Sequence, residues 1–162
     1  MGDELTLRTI VVGYDGTRPA ELALRRAIGL ARAFGASVVV ADVVAPQPLV
    51  GSPGAFGVPP YWDYPAGLDV RANELLWEQH RERIAALLGE SGVSHEFAGV
   101  VGQPTEEIVE VAERRDADLI VVGTREPGFV ERLLGGSVSQ GVARHAHCDV
   151  LVVRPPDEPA AV

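Results

Sequence analysis

Thr9-Ile10-Val11-Val12-Gly13 is a continuous run of mostly β-branched residues that stops in a turn cluster, Tyr14-Asp15-Gly16-Thr17. An unbroken apolar run, as opposed to an alternating one, predicts a strand covered on both faces, the habit of parallel sheets flanked by helices. The same signal returns at Ser37–Val44, Asp118–Gly123 and Asp149–Arg154, with a weaker strand at His95–Val101. Between the first two runs, Ala23, Ala27, Leu30, Ala31 and Phe34 recur at helical spacing, with Thr17 placed to cap the helix and Gly35 to stop it. A second helix is predicted over Ala72–Leu88, with Leu75, Leu76, Ile84, Leu87 and Leu88 as its apolar face. Pro104–Arg114 and Ser137–His145 supply a third and a fourth. Strands alternating with helices in this way predict an open, doubly wound α/β sheet with helices on both faces.

The length of 162 residues suits one domain, expected over residues 1–156, with residues 157–162 as a flexible tail. A proline-rich, glycine-rich stretch at residues 45–67, carrying Phe56, Tyr61, Trp62 and Tyr64, breaks the regular spacing and reads as a long loop inserted in the domain. Two readings of it stand side by side, a lid or contact surface and a spacer without a role.

Composition narrows the function. Apolar residues make up 46% and charged residues 23%, the balance of a folded globular chain. A formal charge of −9 argues against nucleic acid or an anionic membrane as partner, since both need clustered cations. All 14 basic residues are arginine, which excludes Schiff-base chemistry and the phosphate-binding lysine of P-loops. The stretch Met1–Arg8 is too acidic and too poor in apolar residues for a secretory signal, and no apolar run approaches the ~20 residues of a membrane span, so a cytoplasmic location is expected. Cys148 has no partner for an internal disulfide. Two apparent constellations carry little weight. His145-x-His147-Cys148 places its imidazoles on different helix faces, and Ser137 with His145 lacks the turn that exposes a nucleophile. Glu106, Glu107 and Glu110 fit a solvated helix face near a positive helix end better than an acid–base pair. No catalytic residue and no metal ligand set is assigned.

Two strands end alike, Ile10-Val11-Val12-Gly13 and Ile120-Val121-Val122-Gly123. Each delivers a glycine at its carboxyl end, where ligands of open α/β sheets bind. With VVGYDGT near the start and DLIVVGTREPGFVERLLGGSVSQGVARHAHCDVLVVR near the end, the chain resembles the universal stress protein family over nearly all of its length outside the loop and tail. The resemblance implies a five-stranded parallel sheet of order 3-2-1-4-5 and a stress-response module that binds adenine nucleotide, ATP or AMP, with or without Mg2+, and hydrolyses it slowly if at all. The alternative within the family is a nucleotide-free protein-interaction module.

The family's Gly-2x-Gly-9x-Gly-Ser/Thr pattern falls on Gly123, position 126, Gly136 and Ser137. By resemblance Asp15 would meet the ribose hydroxyls or a metal that travels with the nucleotide, and Val43 would pack on adenine. Gly13, Tyr14 and Val122 would line the crevice, while Ser137, Val138 and Ser139 would face phosphate at a helix start. Gly123 is expected to let the backbone leave its strand tightly. Asp15 also has a plain reading as the turn former before Gly16. One position departs from the pattern, because Glu126 stands where the second glycine falls. A carboxylate there opposes phosphate by on the order of 1 kcal/mol, unless Arg125 or Arg132 offsets it. The resemblance further implies a homodimer formed through the edge strand Val150–Val153, and an unknown protein partner.

Overall fold

The computed structural model describes residues 6–45, 67–124 and 138–156. In chain order the elements are β1 (Thr9–Tyr14), α1 (Arg18–Phe34), β2 (Ser37–Val44), α2 (Gly67–Leu88), β3 (His95–Val101), α3 (Pro104–Arg114), β4 (Leu119–Gly123), α4 (Val138–His145) and β5 (Asp149–Val153). The five strands are parallel and lie in the order β3-β2-β1-β4-β5, as the resemblance implies.

The unbroken apolar runs are explained by cover on both faces. Ile10, Val12, Val38, Val40 and Val121 point into one layer with α1 and α2. Val11, Val39, Ala41, Ile120 and Val122 point into the other, under α3 and α4. Successive residues of a strand alternate between faces, so only a run apolar at every position fills both layers.

Helix α1 starts and stops where expected, but the Thr17 hydroxyl bonds Asp15 and makes no cap bond to a helix amide. Thr17 is its extended N-cap, and Gly35 closes it at φ 71°, where the amides of Gly35 and Ala36 both reach the carbonyl of Ala31. Its buried face differs in detail from the expected stripe. Ala20, Leu24 and Ile28 join Ala23, Ala27 and Ala31, whereas Leu30 is half-buried and Phe34 is 44% exposed. The small residues of one i, i+4 row, Ala23, Ala27 and Ala31, let the helix lie close on the sheet beside the larger row of Ala20, Leu24 and Ile28, and the last turn with Phe34 is left uncovered.

Helix α2 begins at Gly67, not at Ala72. No glycine or proline interrupts residues 68–88, so nothing stops the helix from extending back to the glycine that precedes them. Among its described side chains His80, Ile84 and Leu88 are buried, one per turn, and Leu87 is partly covered. The expected core residue Leu75 is 62% exposed, and Leu76 is also at the surface. In α3 the stripe Ile108, Val111 and Ala112 is buried with Val109 added, while Glu106 and Glu110 face solvent and Glu110 pairs with Arg114 at 3.0 Å. Most of residues 45–67, together with the tail 157–162, lies outside the described residues. So do Glu126, Gly136, Ser137, Arg125 and Arg132.

Candidate functional site

The strand order reverses between β1 and β4, and the helices that follow them, α1 and α4, pack on opposite faces of the sheet. The first of these loops is Asp15-Gly16-Thr17. The Asp15 Oδ1 atom accepts the amide of Thr17 at 3.0 Å and its hydroxyl at 2.5 Å, so Asp15 builds the turn from which its own exposed carboxylate faces outward. Gly16 sits at φ 77°, a left-handed conformation that a β-carbon disfavours.

The sequence-predicted residues divide by face. Gly13, Val43 and Val122 all lie on the α3 and α4 side of the sheet. A β-carbon on Gly13 would come 3.1 Å from Val122 and 2.7 Å from the tip of Ile108, so the two strand ends are in contact. Tyr14, one residue on from Gly13, turns to the opposite side. Its ring is buried with α1 and α2, leaving only its backbone at the strand end. Gly123 needs to be glycine for space rather than for conformation, because the carbonyl of Pro19 in the first turn of α1 fills the place of its β-carbon. Thr124 then bonds back to the carbonyl of Val153 at 2.9 Å. In α4, Val138 is exposed and Ser139 is buried. Gly141 brings this helix against Thr105 of α3, whose side chain would be 2.7 Å from an added β-carbon.

Two residues that sequence reasoning passed over, Asp42 and His80, dominate the other side of the strand ends. Asp42 is 0% exposed, and its Oδ2 lies 2.6 Å from Nδ1 of His80 on α2. Tyr14, the register partner of Asp42, meets the His80 ring edge to face at 5.4 Å. Trp77 donates its indole N–H to the carbonyl of Asp42 at 3.3 Å. Burial pushes the Asp42 carboxyl up, and the hydrogen bond from His80 only partly restores it. Burial likewise pushes the Tyr14 phenol up, with Glu21 adding to the effect. Among the described residues, Asp42 Oδ1 and the Tyr14 hydroxyl have no hydrogen-bond partner. The signal for this cluster is a lone carboxylate within Ser37-Val38-Val39-Val40-Ala41-Asp42-Val43-Val44, since a charge inside a buried strand requires a partner.

The residues of His145-x-His147-Cys148 take separate partners. The His145 Nδ1 atom is 2.8 Å from the carbonyl of Gly141, and that of His147 is 2.8 Å from Glu113. With Val109 and Asp116, His147, Glu113 and Cys148 border a shallow groove before β4 and β5, at the amino ends of the strands and away from the switch point.

An all-parallel open sheet of order β3-β2-β1-β4-β5 defines a doubly wound α/β protein, a class whose ligands bind beyond the carboxyl ends of the strands at the switch point, here between β1 and β4. The sequence pattern of the universal stress protein family matches residues 6–154, and the chain belongs to that family. It is 37% identical over 152 residues to a universal stress protein of Methanocaldococcus jannaschii, covering 92% of this chain and 83% of that one. Among solved structures it is similar to a universal stress protein in complex with cAMP, at 29% identity and TM-score 0.66, covering 92% of this chain and 98% of that one. A universal stress protein of Archaeoglobus fulgidus in complex with dAMP shares the fold at 22% identity and TM-score 0.61, over 91% of this chain and 98% of that one. No helix among the described residues is long and apolar enough to cross a membrane.

Proposed function

We propose that this chain is a cytoplasmic adenine-nucleotide-binding module of the stress response, a homodimer that acts through nucleotide-dependent contacts with a protein partner and is not an enzyme. The observation that carries the reading is the meeting of Gly13, Val122 and Val43 on one face of the sheet beside the exposed Asp15 turn, at the switch point. The cAMP complex of a related protein supports adenine nucleotide as the ligand class. Adenine would lie on Val43 and the ribose beside Asp15, with Mg2+ accompanying a triphosphate. Lacking any lysine, the site would hold phosphate through backbone amides at the start of α4, near Val138. Hydrolysis is expected to be slow at most, since the chain has no lysine to neutralise developing phosphate charge.

A second reading, a nucleotide-free interaction module, is favoured by two features. Ser139 is buried, and packing against Pro19 suffices to explain Gly123. Thermal unfolding separates the two. Ligand at a hundred times its dissociation constant adds about 2.7 kcal/mol, so ATP with Mg2+, AMP or cAMP should raise Tm by several degrees. Glu126→Gly should enlarge the shift and Asp15→Ala should abolish it. The absence of a shift with all three ligands, together with no nucleotide released on denaturation, selects the interaction module.

A further inference from the structure

The Asp42–His80 pair has no part in the nucleotide reading, yet it lies directly behind the turn on which that reading depends. The edge of the His80 ring opposite Asp42 abuts Gly16. A β-carbon there would collide with Nε2 and lie 3.1 Å and 3.2 Å from Cε1 and Cδ2, so the imidazole tip fills the space that glycine leaves. His80 is thus clamped between the buried carboxylate of β2 and the backbone of the Asp15 turn.

Among the described residues, the charges facing the pair are few. Asp15 stands on the turn itself, and Arg81 is on α2. Glu21 on α1 and Arg83 on α2 act on the neighbouring Tyr14 and are bonded to each other. The pair has two relevant states. With one proton shared between Asp42 Oδ2 and His80 Nδ1 it carries a net negative charge in a dry layer. With a second proton, on Nε2, it is neutral overall. A buried charge is screened far less than a surface one, so this proton is felt at the turn and at any anion held beside it.

We propose that His80 positions the Asp15-Gly16-Thr17 turn and that the proton shared through Asp42 sets the affinity of the adjacent site for an anionic nucleotide, which binds more tightly when the pair is doubly protonated. This rests on the nucleotide reading and assigns a regulation to that site. His80 is a positioning residue, acting through Gly16 and through charge.

The test uses cAMP, whose phosphodiester keeps the same charge from pH 6 to pH 8, so that any pH dependence belongs to the protein. Calorimetry on the wild-type chain should show binding about fivefold tighter at pH 6 than at pH 8. Asp42→Asn, which preserves shape and removes the buried charge, should bind at both pH values about as the wild type does at pH 6. In the ligand-free wild type, the amide resonances of Gly16 and Thr17 should titrate together with the His80 ring, a readout that needs neither a variant nor a ligand. Equal pH slopes in wild type and Asp42→Asn, or Gly16 and Thr17 amides indifferent to His80, overturn the proposal while leaving nucleotide binding intact. Absence of cAMP binding at every pH overturns both the affinity control and cAMP as ligand, and the amide titration then decides whether His80 positions the turn.

Discussion

At Gly123 the backbone of β4 lies against Pro19 in the first turn of α1. A β-carbon at that position would be 2.5 Å from the carbonyl carbon of Pro19 and 2.9 Å from its Cβ. The neighbour is mostly backbone and cannot rotate away, so Gly123→Ala should shift α1 and cost about 1–3 kcal/mol in the ligand-free protein. Gly29→Ala is the control. It sits in the same helix with nothing within 4 Å of the added carbon, and should stabilise by roughly 0.5–1 kcal/mol. Chemical denaturation of both variants tests the pair, and equal effects would refute the packing role of Gly123.

Gly16→Ala meets two obstacles, a φ of 77° and the His80 ring. The left-handed backbone alone costs about 1–2 kcal/mol for a residue with a β-carbon. In the double variant Gly16→Ala/His80→Ala, the part due to the collision should disappear. A double-mutant cycle with no coupling would show that the ring does not press on the turn.

Asp118 ties the start of β1 to the start of β4. Its Oδ2 accepts the amides of Arg8 at 2.7 Å and Thr9 at 3.0 Å. Desolvation alone would raise its carboxyl, but the two amides outweigh it and the group lies below the usual aspartate range. A carboxyl lowered on folding contributes stability above its unfolded pKa of about 3.9, and the contribution is lost as pH falls through the folded value. Asp118→Ala should therefore destabilise by about 1 kcal/mol at pH 7. The gap to wild type should narrow only below about pH 4. A gap that stays constant down to acid unfolding would rule out the charge as its source.

Cys148 is half-buried, and burial raises its thiol, with Asp149 and Asp118 acting in the same direction. Alkylation by iodoacetamide at pH 7.5 should be at least ~10-fold slower than for an unstructured peptide thiol, and denaturant should remove the difference. A fast-reacting Cys148 in the folded chain would contradict this.

Strand β5 closes one edge of the sheet with Leu151 exposed and Val152 38% exposed, and it carries no lysine or internal proline to deter pairing. If two copies meet through Val150–Val153, Val152→Lys should give a folded monomer by light scattering, with stability changed by only about 0.5 kcal/mol. A wild type that is monomeric at tens of micromolar, or a Val152→Lys protein that remains dimeric, moves the interface away from this edge.

The parallel sheet was legible because its signals are local. Ile10–Gly13 and Val38–Ala41 are apolar at successive positions, which two-sided cover explains, and Gly35 and Pro104 mark helix ends within a turn of where they fall. The like endings of Ile10–Gly13 and Ile120–Gly123 pointed to neighbouring strands, and family resemblance supplied the full strand order. What only the tertiary structure decided are contacts between residues far apart in the chain. Asp42 and His80 come from different elements, and nothing local to either names the other. The same holds for Pro19 against Gly123, and for the turn of α2 that buries His80 while leaving Leu75 in solvent. Periodicity reports which positions suit burial, but the angle at which a helix settles on the sheet is set by the packing of all its neighbours at once. A buried carboxylate or a crowded glycine acquires its meaning only from that packing.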